Sequence, residues 1–162
     1  MLSAQSQDTP NVSIQTEDFS LAEEVALLEK HNFSDGAVVT FTGRVRQQNN
    51  HNEVSSLMLE HYPGMTEKSI RDIIKTAQKK WNLGRVKVIH RIGQLSLGEQ
   101  IVFVGVTSAH RQDAFAANEF IMDFLKVKAP FWKKEQIIQK GVLSEHWLEA
   151  KKTDTDKAEL WR

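Results

Sequence analysis

Three basic clusters and a scatter of histidines are the residues of this chain whose types could do chemistry. Arg44-Val45-Arg46 ends a β-rich stretch and opens a polar one. Arginines at a strand end can project into a cleft and fork onto a phosphate or carboxylate. The same pair would serve equally as a solvated basic strand end. Ser108-Ala109-His110-Arg111 falls where a strand pattern gives way to a helix pattern. The free N–H groups and partial positive charge of a helix start favour an anion, and His110 and Arg111 would add donors. A plain capping segment, with Ser108 as the cap, accounts for the same residues. The third cluster is Lys126-Val127-Lys128-Ala129-Pro130-Phe131-Trp132-Lys133-Lys134-Glu135. Lysines at a helix C-terminus suit the helix dipole, which is sufficient reason for Lys126 and Lys128. A lysine near other cations or in an apolar pocket also loses pKa and can act as nucleophile or base, and Phe131 and Trp132 could line such a pocket.

The histidines point away from a metal. No pair of the six has helical metal-ligand spacing, and no acidic motif joins them. His61 and His90 lie in strand patterns and read as packing residues. The chain has no cysteine, which removes disulfides, thiolate metal sites, a cysteine nucleophile and a cysteine persulfide. If sulfur chemistry occurs here, the sulfur must arrive on something else. With 21 basic and 21 acidic residues the formal net charge is +0, so a strongly basic nucleic-acid binder is not indicated, although a local basic pocket is compatible. Together the clusters describe a pocket for an anionic small molecule and leave that molecule unnamed. A binding module for an acidic tail or phosphorylated metabolite, and an acyl-transfer enzyme using His110, are rival readings.

Elements that could position these clusters are readable around them. Val12 and Ile14 alternate as a short strand, and Ser20 can cap a helix carrying Leu21, Val25 and Leu28. Residues 37–45 are β-rich, 47–53 read as a mobile polar loop, and 54–61 resume as a strand before Tyr62-Pro63-Gly64. Residues 66–81 form the clearest amphipathic helix, with Ile70, Ile73, Ile74, Ala77 and Trp81 on one face. Residues 86–92 alternate as a strand, 93–100 read as a connector, and the apolar run 101–107 suits a strand buried on both faces. A helix then runs to about Lys128, stopped by Pro130. A hairpin of 131–138 and 142–148 turns at Lys140-Gly141. This order favours an α+β sandwich over a doubly wound sheet, and no nucleotide-binding glycine motif occurs.

The 162 residues suit one domain. Residues 1–10 are expected to be a disordered lead-in, 11–150 the domain, and 151–162 a weakly ordered polar tail whose Leu160 and Trp161 dock on a partner or on the body. The N-terminus lacks the pattern of a signal peptide, and no run nears the roughly 20 apolar residues of a membrane span, so the expected compartment is the cytoplasm.

The wording of the clusters goes further than their chemistry. Gly36-Ala37-Val38-Val39-Thr40-Phe41-Thr42-Gly43-Arg44-Val45-Arg46, Leu59-Glu60-His61-Tyr62-Pro63-Gly64-Met65 and Val88-Ile89-His90-Arg91-Ile92-Gly93 closely resemble the large subunit of molybdopterin synthase. So do Val104-Gly105-Val106-Thr107-Ser108-Ala109-His110-Arg111 and the whole lysine cluster, and the match runs in order from about Val12 to about Ala150. The resemblance implies an α/β hammerhead-type sandwich with an additional small antiparallel β subdomain. It implies a homodimer of large subunits within a heterotetramer. The partner is a small ubiquitin-like sulfur carrier whose C-terminal Gly-Gly bears a thiocarboxylate. Cyclic pyranopterin monophosphate is the implied substrate, two sulfurs are inserted, and neither cofactor nor metal is expected. Carried over residue by residue, the catalytic lysines fall on Lys126 and Lys133. Substrate contacts fall on Arg44, Val45, Arg46, His110, Arg111, Lys126, Lys133, Lys134 and Glu135, and Phe41 and Met122 match pocket residues. Two positions depart from the pattern: Lys151 stands where some members have arginine, and Arg44 where lysine also occurs.

Overall fold

A computed structural model describes residues 11–49, 52–139, 141–148 and 152–161. Among the described residues there are two open sheets and four helices. The first sheet has the order β1 (Val12–Gln15), β5 (Val86–Arg91), β7 (Gln100–Ser108) and β2 (Ala37–Arg44). β1 and β5 are parallel, and the other pairs are antiparallel. β7 is central because its residues are apolar on both sides. Val102, Val104 and Val106 face the main core, while Phe103 faces a smaller cluster with Phe19, Leu28 and Ile89 beneath α1 (Leu21–Glu29). The expectation of a strand buried on both faces therefore holds. On the main-core face lie α2 (Met65–Lys80) and α3 (Arg111–Lys128). The periodic residues Ile70, Ile73, Ile74 and Ala77 of α2 are all buried there, each isoleucine contributing about 1.5–3 kcal/mol.

The second sheet centres on β4 (Asn52–His61), with β3 (Gln48–Asn49) and β6 (Gly93–Ser96) along one edge. On the other edge come β8 (Phe131–Gln139) and then β9 (Val142–Leu148). Val45, Leu57, Leu59 and Leu95 form its own small core. No helix among the described residues is long and apolar enough to cross a membrane.

Four local expectations need correction. Within 47–53, Gln48 and Asn49 pair with Glu53 and Asn52 as a hairpin rather than forming an open loop. The stretch 93–100 is not only a connector: Gly93–Ser96 is β6, and the return at Gly98 takes a positive φ of 82° that glycine permits. Ser108 is not the cap of α3. It ends β7, its hydroxyl donates to the Asn82 carbonyl, and His110 is the N-cap, without a side-chain cap bond. The polar tail is helical as α4 (Lys152–Glu159). Trp161 meets Trp81 and Phe120 edge-on and donates from Nε1 to Asp123 Oδ2 at 2.7 Å, so it docks on the body. The lead-in 1–10, Lys140 and Lys151 lie outside the described residues.

Candidate active site

Pro130 determines how the lysine cluster is laid out. It ends α3 by forcing Ala129 into extended geometry (φ −77°, ψ 127°), and β8 starts at once with Phe131. Lys126 therefore sits in the last turn of a helix and Lys133 near the start of a strand. Lys126 is solvent-accessible, with Nζ 3.5 Å from Asp154 Oδ1 on α4. Along β8, side chains alternate between faces. Lys133 lies between Leu59 and Leu148 in register, and Glu135 lies beside Leu57, so both share the face that holds the small core. Glu135 is buried. Lys134 points the other way. Its Nζ is 2.6 Å from Glu145 Oε2 and 5.4 Å from the Trp147 ring centroid. The lysine cluster is thus split by the strand pleat, and Lys134 serves the opposite surface from Lys133.

Arg44 and Arg46 reach the same end of the molecule. β2 runs antiparallel to β7, and α3 folds back along both, so the end of β2 lies toward the C-terminal end of α3. Asn118 of α3 fixes this alignment by donating to the carbonyls of Val39 and Val104. A register shift between Gly43 and Arg44 turns the strand there. Arg44 Nε donates to the Gly98 carbonyl at 3.0 Å, which holds the guanidinium over the β6–β7 return. Arg46 is exposed. Val45 is different. Its side chain is buried in the small core, its N–H donates to Glu99 O, and its carbonyl accepts from Gly98 N. It anchors the two arginines and has no backbone donor left to offer. Phe41 pairs with Val104 in register, on the α3-facing side, and Met122 of α3 packs against the same core.

His110 and Arg111 stand at the other end of α3. With Gly36, Ala109, Gln112 and Phe115 they line an open concavity. The junction is rigid because the Gly36 N–H donates to the Ala109 carbonyl and Asp35 Oδ2 accepts from both Thr107 Oγ1 and Asn32 Nδ2. Gly84 is forced by this network, since a Cβ there would stand 1.8 Å from Asp35 Oδ2. From Arg111 to Lys126 the helix axis rises by about 22 Å, at about 1.5 Å per residue. β2 thus ends at Arg44 toward the end of α3 that carries Lys126 and leads into β8, Phe41 lies opposite the middle of β7, and His110 and Arg111 stand at the other end of α3.

Two features of the lysine end were not legible as site features. Asp154 came from a tail with no apolar pattern. His90 was rightly read as a packing residue, but nothing in its strand pattern announced its neighbours. Its ring stacks on Phe131, and burial, ahead of the nearby Lys133 and His61, pushes its pKa down to about 3.

The fold and these clusters define a class: an open two-sheet α+β protein, free of cysteine, with basic side chains at both ends of α3. The family described as MoaE protein matches residues 14–128. The chain belongs to the MoaE family. It is 53% identical over 143 residues to the molybdopterin synthase catalytic subunit of Escherichia coli, covering 88% of this chain and 92% of that one. Among solved structures it resembles molybdopterin cofactor biosynthesis protein E from Burkholderia multivorans, with a TM-score of 0.76, 45% identity and coverage of 93% and 94%. It also resembles molybdopterin synthase from Staphylococcus aureus, with a TM-score of 0.77, 31% identity and coverage of 86% and 97%. The α+β expectation and the family resemblance both hold.

Proposed function

We propose that the chain is the catalytic, sulfur-inserting subunit of a molybdopterin synthase, a sulfurtransferase working in the cytoplasm. It converts cyclic pyranopterin monophosphate to molybdopterin with two sulfurs delivered as the C-terminal thiocarboxylate of a small ubiquitin-like partner. The relatives' name, catalytic subunit, implies such a companion. The absence of cysteine fits a sulfur that always arrives on another chain.

The observation that supports the reading is the topology: β2 ends at Arg44 toward the end of α3 that carries Lys126, and β8, which carries Lys133, starts from that end. Arg46, His110 and Arg111 hold the phosphate and the pterin. Lys126 and Lys133 flank the thiocarboxylate carbon and the reacting carbons of the substrate. One polarises or protonates the leaving group, and the other deprotonates or positions the attacker. Glu135 contributes from the same face of β8 as Lys133, and Lys134 and Val45 act by holding the surrounding structure. Because α3 separates His110 and Arg111 from the lysines, a complete site uses two chains, in keeping with a homodimer inside a heterotetramer.

The test is turnover with purified protein, thiocarboxylated partner and cyclic pyranopterin monophosphate. Lys133→Ala is expected to abolish dithiolene formation while partner binding persists. Near-normal turnover by this variant refutes the assignment.

A further inference from the structure

α4 lies along α3 and brings a carboxylate to one of the two proposed reacting lysines. Its docking has apolar and polar parts. Ala158 is buried in the main core, and Trp161 packs against that core. The Trp161 ring meets Trp81 and Phe120 edge-on, and its Nε1 donates to Asp123 Oδ2 at 2.7 Å. Lys157 Nζ stands 2.8 Å from Glu119 Oε1 and 3.8 Å from Asp123 Oδ1. The pairs then run in opposite senses along the two helices. About one turn earlier on α4, Asp154 Oδ1 stands 3.5 Å from Nζ of Lys126, about two turns beyond Glu119 on α3.

Lys126 and Lys128 share the last turn of α3 but take different partners. Lys128 Nζ stands 4.9 Å from the centre of the Phe124 ring, while Lys126 turns to α4. The Lys126–Asp154 pair is not what holds the helix. The lysine side chain is 46% exposed, and an ion pair so open to water adds little to stability. The buried Ala158 and the docked Trp161 hold α4 instead. The Asp154 side chain is 23% exposed, and it lies in the first turn of α4, where the helix start favours a negative charge. The carboxylate is therefore the fixed member of the pair, and the lysine is the member that is placed.

We propose that Asp154 is a positioning residue for Lys126, its carboxylate receiving the lysine ammonium and holding it against the reacting atoms. The proposal rests on the reading of Lys126 as a residue of the reacting centre. A lysine carries its charge on a long flexible stem, and a carboxylate on a docked helix removes part of that freedom. The polar C-terminal helix thereby takes part in turnover through one contact, without itself touching the substrate.

Asp154→Ala removes the carboxylate and leaves Ala158 and Trp161 in place. In the full complex, with thiocarboxylated partner and cyclic pyranopterin monophosphate, it is expected to lose about tenfold in kcat, as for a misplaced reacting group, with KM little changed. Asp154→Glu, which returns a carboxylate, is expected to recover part of that loss. Lys157→Met removes a different α3–α4 ion pair and is expected to keep kcat near wild type. Full kcat in Asp154→Ala overturns the proposal. An equal loss in Lys157→Met also overturns it, because general docking of α4 would then account for the effect.

A second measurement reads the contact without turnover. In protein carrying isotope-labelled lysine, the Lys126 Cε resonance, assigned by its loss in Lys126→Met, is expected to move when Asp154→Ala is introduced. An unmoved resonance overturns the proposal. Full turnover by Lys126→Met alongside a moved resonance keeps the contact and instead refutes the catalytic reading of Lys126, so the two failures are distinguishable.

Discussion

A neutral buried imidazole makes the folded state acid-sensitive. His90 has a folded pKa of about 3 against 6.5 when free. Between those values the unfolded chain binds a proton that the folded chain refuses. Stability is therefore untouched by His90 above pH about 6.5, and it falls as the pH drops toward 3, by up to about 1.4 kcal/mol per pH unit. Asp18 acts in the same direction. The Gln100 side-chain amide, then the Phe19 N–H, lower its pKa, so its contribution is present at neutral pH and lost as the carboxyl protonates. That contribution is small because the group is solvent-screened. The urea midpoint of the wild-type protein is expected to decline between pH about 6.5 and 4.5, and His90→Phe is expected to flatten that decline. A wild-type midpoint constant across the window would contradict a buried neutral imidazole.

At the level of elements, the parts read correctly from sequence are those whose own pattern is strong. Ile70, Ile73, Ile74 and Ala77 announce α2, and the unbroken apolar run of β7 announces a central strand. β6 was hidden because Gly93-Gln94-Leu95-Ser96 has turn composition, and its strand state comes from pairing with distant β4. α4 was hidden because nearly all of its side chains are polar, so its helix depends on what it touches rather than on propensity. The residue types of the site were legible, but their grouping was not. The pleat of β8 decides that Lys133 and Lys134 part company, and the length of α3 decides that His110 stands far from Lys126. α4 depends on Trp161, which packs against Trp81 and Phe120 and bonds to Asp123, while Lys157 meets Glu119 at 2.8 Å. Trp161→Ala is expected to cost about 2–3 kcal/mol, less than a fully buried tryptophan would. Amide exchange across α4 should rise with it, which isotope-exchange mass spectrometry reads directly. Unchanged protection in α4 would mean that the helix is held by something other than this side chain.

Among the described residues, Arg111 and Lys126 stand on α3 with an axial rise of about 22 Å between them, so under the proposed chemistry one small substrate meets one end of the helix and not both. Pairing of two chains about a two-fold axis resolves this if the His110 end of one meets the lysine end of its mate, and the symmetry then makes two such sites. The exposed Phe115 beside His110 and Arg111 is the kind of apolar residue that such a contact would cover. Subunit mixing tests the arrangement. A Lys133→Ala chain and a chain carrying both His110→Ala and Arg111→Ala are each expected to be impaired as homodimers, because every site lacks one half. In a mixed dimer one site carries both defects and the other carries neither. Random exchange at equal amounts makes half of the dimers mixed, so turnover should recover to about one quarter of wild type. Mixed dimers that form, as shown by mass spectrometry, yet recover no turnover would confine the determinants to one chain and refute the shared site.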